Sequence, residues 1–187
     1  MFYAIIHRPE TDISVIQEVA KKYDPTFELV GPHVTLVFPF SAEGVDEHAL
    51  TTHIQSVAGG LQPFQARFNE LELSWDQWLF LTPTLGKEAL TQLHDDLYVG
   101  MLQQFLRSDI PFVPHIALGH FAVADSEYQL KDPTAVPLDE ERYITARAEI
   151  EALKLDLVYE VTTTELISVT DDFSQTSSIA TFQLGSA

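Results

Sequence analysis

The chain has 187 residues, a length that suits one domain with a sizeable core, and 45% hydrophobic content is ordinary for a globular protein. With 28 acidic against 10 basic residues the net charge is −18, which argues against a long nucleic-acid footprint, because phosphate polymers are held by clustered Lys and Arg. There is no cysteine, which excludes disulfides, thiolate metal sites and a cysteine nucleophile.

Residues 2–7 run apolar and read as a strand ended by Pro9, with no basic region ahead of a long apolar stretch. No apolar run approaches the ~20 residues that span a bilayer. The expectation is a soluble, cytoplasmic protein without a signal peptide or membrane contact. Thr11-Asp12 offer an N-cap to a helix in which Ile13, Ile16, Val19, Ala20 and Tyr23 recur at helical spacing, and Asp24-Pro25 stops it. A loop carrying Gly31-Pro32 leads into a strand at His33 that Pro39 closes. Residues 44–58 read as a helix ended by Gly59-Gly60, and residues 64–73 alternate as a strand, followed by another at Trp78-Leu79-Phe80-Leu81. A helix runs from Gly86 towards Arg107 with Leu90, Leu93, Leu97, Met101 and Phe105 on one face. Pro111 and Pro114 bound the approach to a strand at His115. Residues 122–137 are polar and Pro-containing and read as a surface segment, with helix over part of 137–147. Residues 150–158, 165–169 and 179–184 alternate as strands, the last two flanking a polar turn at Asp171-Asp172-Phe173-Ser174.

One short stretch returns. Pro32-His33-Val34-Thr35-Leu36-Val37-Phe38 is echoed by Pro114-His115-Ile116-Ala117-Leu118-Gly119-His120-Phe121, with the histidines 82 residues apart. Strand side chains alternate between faces, so His33 and Thr35 share one face, as do His115 and Ala117, while Val34, Leu36, Ile116 and Leu118 point into a core. By the same alternation His120 falls on the face opposite His115. Residues 68–73 also resemble residues 150–155 at the offset of 82, as an internal duplication would give. The expected architecture is a single α+β domain over residues 1–187: two pseudo-two-fold βαβ-type lobes with antiparallel sheets around a central cleft that holds both histidines.

Imidazole has an unperturbed pKa near ~6.5, so one ring can give a proton while its neighbour takes one. Displacement at phosphorus needs both acts, one at the attacking oxygen and one at the leaving oxygen, and two imidazoles supply them without a metal. Thr35 can donate its hydroxyl to a phosphate oxygen. Arg8 and Arg107 are the candidate cations for phosphate charge. A zinc or iron site would want a third ligand, and neither His strand carries a carboxylate on the His face, so no metal and no cofactor are expected. His7, His48, His53 and His94 read as surface or core residues.

The doubled motif, its spacing and its Pro-His contexts resemble the two-histidine phosphoesterase superfamily, in its 2′-5′ RNA ligase-like and cyclic phosphodiesterase group. Trp78-Leu79-Phe80-Leu81 and Thr181-Phe182-Gln183-Leu184 fit that group's strand pattern as well. The resemblance implies a bilobal fold and metal-free opening of 2′,3′-cyclic phosphates, or action on RNA termini or 2′-5′ linkages. It makes His33 and His115 the acid/base pair and Thr35 a phosphate-oxygen donor. The implied partner is a small nucleotide or short RNA end carrying a cyclic phosphate, acted on by a monomer. Ala117 departs from the pattern, since the family has Thr or Ser there and alanine cannot hydrogen-bond a phosphate. That departure keeps two other readings open: a nucleotide- or phosphometabolite-binding module with a weakened site, and an inert interaction domain.

Overall fold

The computed structural model describes residues 1–123 and 137–186. Among the described residues eight strands form two four-stranded antiparallel sheets. The first sheet has the order β2 (Val34–Ser41), β1 (Phe2–His7), β7 (Thr163–Val169), β8 (Thr176–Gln183). The second has β5 (Ile116–His120), β4 (Trp78–Leu85), β3 (Phe64–Leu73), β6 (Leu157–Val161). Each histidine motif therefore lies on the edge strand of its own sheet.

The two edge strands repeat down to their irregularity. In the first sheet Ile5 pairs with Val37 and Ile6 with Thr35; in the second Leu79 pairs with Gly119 and Phe80 with Ala117. Leu36 and Leu118 are thus the extra residues of two matching bulges, 82 positions apart. Val34, Leu36, Ile116 and Leu118 are fully buried, as the alternation predicts. One core runs through both sheets, with Ile5, Leu36 and Leu166 from the first and Phe68, Leu79 and Leu118 from the second. A smaller apolar cluster, Ala4, Ile6, Ile167 and Val169, covers the other face of the first sheet and is capped by Val30.

The helices cross between lobes. α1 (Ser14–Tyr23) follows β1 yet packs on β5, and α4 (Lys87–Leu97) follows β4 yet packs on β2. Ile16, Val19, Ala20 and Tyr23 form the buried face of α1, and Leu90, Leu93 and Leu97 that of α4. His94 Nδ1 on α4 donates to the Leu36 carbonyl at 2.6 Å, since a carbonyl can only accept. α3 (Glu47–Gly60) is N-capped by Asp46, whose carboxylate accepts from the His48 and Ala49 amides.

Several local expectations change. The cap of α1 is Ile13, and Asp12 instead accepts from the Ser14 amide. The loop before His33 contains a short helix, α2 (Phe27–Val30). Pro39 does not end β2, because an edge strand with a local register shift tolerates a residue lacking an N–H. The long helix predicted to Arg107 stops at Leu97; Gly100, at φ +71°, opens a separate 3-10 helix, Gly100–Phe105. Of the segment 122–137, residues 124–136 lie outside the described residues; Ala122 bridges Leu138. Residues 150–153 are not strand but the last turn of α5 (Glu140–Leu153), and the strand begins at Leu157. Tyr143, Ala146 and Ile150 recur at helical spacing towards the core, and Asp139 accepts from the Arg142 amide at the start. The apparent repeat of 68–73 in 150–155 is therefore strand against helix. The duplication rests on the matched edge strands instead.

Candidate active site

Both histidines are set by the same backbone device. His33 Nδ1 lies 2.7 Å from the Gly31 carbonyl, and His115 Nδ1 lies 2.6 Å from the Val113 carbonyl, each two residues upstream across a proline. The proline locks its own φ and so fixes the path from that carbonyl to the ring. Because the carbonyl can only accept, Nδ1 carries the proton in both rings, which leaves Nε2 as the nitrogen with a free lone pair. Gly31 adopts φ +70° as it closes α2, a conformation a side chain would strain.

His33, Thr35, His115 and Ala117 line one cleft of about 440 Å³. Thr35 Oγ1 lies 3.1 Å from His33 Nε2 and is its donor, given the tautomer. The same hydroxyl can turn to a phosphate oxygen and release Nε2. Ala117 faces the cleft where a second hydroxyl would stand. Two other hydroxyls on the wall are engaged, since Thr26 donates to Asp24 and Ser74 to Asp76.

Arg107 lines the cleft, held at 2.9 and 2.6 Å by Asp109. Arg8 is not among the lining residues. Its guanidinium donates to Glu165 at 2.8 Å and to the Val30 carbonyl at 2.6 Å, so it reaches His33 only through its charge.

Burial holds both catalytic candidates in the neutral form. The His115 imidazole is pushed down to about 4, first by burial and then by the neighbouring His33, against the pull of the Val113 carbonyl and the Asp76 carboxylate. His33 is lowered as well, by burial first; the Gly31 carbonyl opposes this, and the positive charge of Arg8 adds to it.

Sequence reasoning missed most of the cleft wall. Phe80 stacks on His115 with ring centres 3.6 Å apart, and Trp78 stacks on His120 at 4.7 Å. Trp75, Phe38 and Phe112 also face the cleft. Alternation in Trp78-Leu79-Phe80 put two aromatics on one face, but nothing in the sequence said that β4 would pair with β5. His120 is corrected by the bulge at Leu118: it pairs with Trp78 while Ala117 pairs with Phe80, so His120 returns to the His115 side. The carboxylates absent from the His strands arrive from elsewhere, Glu72 from β3 and Asp76 from the β3–β4 turn. Among the described residues no three His, Asp or Glu side chains converge as a metal site needs. His7 and His94 are buried and His53 binds the Leu97 carbonyl; none of the three lines the cleft.

The profile described as the 2′-5′ RNA ligase superfamily matches residues 8–158. A Bacillus licheniformis protein named “Putative phosphoesterase” is 26% identical over 133 residues, which cover 68% of this chain and 75% of that protein. A Bacillus cereus protein of the same name is 27% identical over 110 residues, and the alignment spans 62% of its length. Among solved structures, Escherichia coli LigT complexed with 3′-AMP is similar with a TM-score of 0.61 at 18% identity, covering 98% of this chain and 97% of LigT. LigT complexed with NADP+ gives 0.58 at 19%, covering 98% of each chain. At such identity the likeness carries the fold: two antiparallel sheets facing one cleft.

Proposed function

The chain belongs to the 2′-5′ RNA ligase superfamily, and from that membership and its paired imidazoles we propose that it is a phosphoesterase working by two-histidine acid/base catalysis. Its substrate is a 2′,3′-cyclic phosphate on a small nucleotide or a short RNA end, or a 2′-5′ linkage, opened without a metal. The observation that carries this reading is the matched pair of Nδ1–H···carbonyl contacts, which gives both rings the same tautomer in one cleft. The reading takes residues 1–187 as one two-lobed unit acting as a monomer, each lobe lending one histidine.

In the proposed reaction one Nε2 takes a proton from the water that attacks phosphorus. The other imidazole, protonated at Nε2, returns a proton to the departing ribose oxygen. A ring lowered by burial holds that proton poorly alone; an anionic phosphate beside it favours the charged form and moves its pKa back up. Thr35 donates to one phosphate oxygen, and Arg107 faces the same charge. The name of the Bacillus relative agrees with phosphoester chemistry, and the 3′-AMP in LigT with a nucleotide as ligand.

A second reading, a nucleotide-binding module with slow turnover, draws on one observation: Ala117 faces the cleft without a hydroxyl. Hydrolysis of 2′,3′-cyclic mononucleotides in excess chelator, with and without the His33→Ala/His115→Ala changes, separates the two. Chelator-resistant turnover that disappears in the double variant supports the enzyme. Binding of 3′-mononucleotides without turnover of any cyclic nucleotide supports the module.

A further inference from the structure

Across each sheet a row of three side chains runs from the histidine strand over the cleft face. In the first sheet the row is Thr35, Ile6, Glu165; in the second it is Ala117, Phe80, Glu72. The two glutamates hold matching places but different surroundings. Glu165 accepts from Arg8 at 2.8 Å, its side chain only 14% exposed. Glu72 is exposed on the cleft wall and has no hydrogen bond or ion pair among the described residues.

We propose that Glu72 reads the base of a nucleotide held by the histidine pair, and that it selects guanine; this rests on the nucleotide reading above. Position is the first argument. Neighbouring strands lie ~4.8 Å apart, so Glu72 stands two strands, about 10 Å, from Ala117, on the wall of the cleft that both histidines line. Trp75, three residues on in the β3–β4 turn, lines the same cleft, is 37% exposed and stacks on no ring among the described residues. It offers a face for base stacking.

Chemistry is the second argument. An ionised carboxylate only accepts hydrogen bonds, through two oxygens side by side. Guanine presents two adjacent donors, N1–H and the N2 amino group, that match them. Adenine and cytosine set one amino group beside a ring nitrogen whose lone pair faces the carboxylate. Uracil flanks its single N–H with two carbonyl oxygens. A charge-assisted pair to one base and lone-pair repulsion from the other three give selection in one direction.

The test compares kcat/KM for the four nucleoside 2′,3′-cyclic monophosphates, and calorimetric affinities for the four nucleoside 3′-monophosphates, between wild type and Glu72→Gln. Guanosine should lead uridine by tenfold or more in both measurements, and Glu72→Gln should bring that ratio close to one. Equal values for all four bases, or a guanosine preference that survives Glu72→Gln, overturn the proposal. Absence of turnover by the wild type with every cyclic nucleotide overturns the phosphodiesterase reading instead, and a loss of turnover with all four confined to Glu72→Gln overturns the proposal. The affinities still decide the base, because they need no catalysis. Glu72 is exposed and packs in no core, and a thermal melt of the variant confirms that folding is intact.

Discussion

The two lobes present the same backbone device with different side chains around it. On the His33 side the row Thr35, Ile6, Glu165 is closed: Val30 packs against the apolar cluster that contains Ile6, and Arg8 neutralises Glu165 while contacting the Val30 carbonyl. On the His115 side the row Ala117, Phe80, Glu72 is open, with aromatic rings and the Glu72 carboxylate, unpaired among the described residues, facing the cleft. In the proposed reaction, symmetry supplies what the chemistry needs twice, an oriented imidazole. Asymmetry then supplies what it needs once, a hydroxyl donor on one side and room for the rest of the substrate on the other.

The largest effect should fall on what the lobes share. His33→Ala and His115→Ala each remove a positioned proton carrier, and kcat for a cyclic nucleotide should drop on the order of 10²–10⁴. Next comes what only the first lobe has. Thr35→Ala should lower kcat by about 10²–10³, as loss of one phosphate-oxygen donor does elsewhere, and Thr35→Ser should restore most of it. If Thr35→Ala turns over normally, the donor lies elsewhere.

The second lobe also differs at Gly119, which occupies the register position of Val37. A Cβ at Gly119 would meet the Tyr23 Cβ at 2.5 Å and the Phe121 ring at 3.1 Å. Gly119→Ala should therefore cost about 1–3 kcal/mol of unfolding free energy through overpacking, read from urea denaturation. Copying the first lobe into the second is a gentler change. Ala117→Thr should raise kcat or phosphate affinity, on the order of tenfold.

The smallest effect concerns pH. The folded chain holds His115 at about 4 against 6.5 for the free side chain. Between those values the unfolded chain binds the proton and the folded chain does not, so stability rises with pH through that window. It is complete above 6.5 and declines as the pH falls towards 4. His33, His7, His94 and His120 are lowered in the same sense, so His115→Asn should flatten the decline rather than abolish it. Denaturation midpoints at pH 7.5 and pH 4.5 measure the change.

What the sequence reveals follows the range of the interactions. The Pro-His doublets are legible because the proline and the carbonyl two residues back act locally, and the alternation around them sets which face is buried. Residues 150–155 misled because Ile150, Leu153 and Leu155 satisfy both a loose alternation and the end of a helix; the earlier spacing of Tyr143, Ala146 and Ile150 decides for the helix. Glu72, Trp78 and Phe80 were not placed at the site because their approach depends on β4 lying between β3 and β5, a pairing set by the whole sheet. His120 was misplaced by one residue of bulge at Leu118, whose partner strand the sequence does not display.

The central claim is that an imidazole from each lobe acts on one phosphate as a single unit. The most direct measurement compares kcat for a 2′,3′-cyclic nucleotide in His33→Ala, His115→Ala and the double variant. Two groups serving one transition state lose most of their effect together, so the double variant should be little slower than either single variant. A single variant that keeps near-wild-type turnover, or losses that simply multiply in the double variant, would contradict the account.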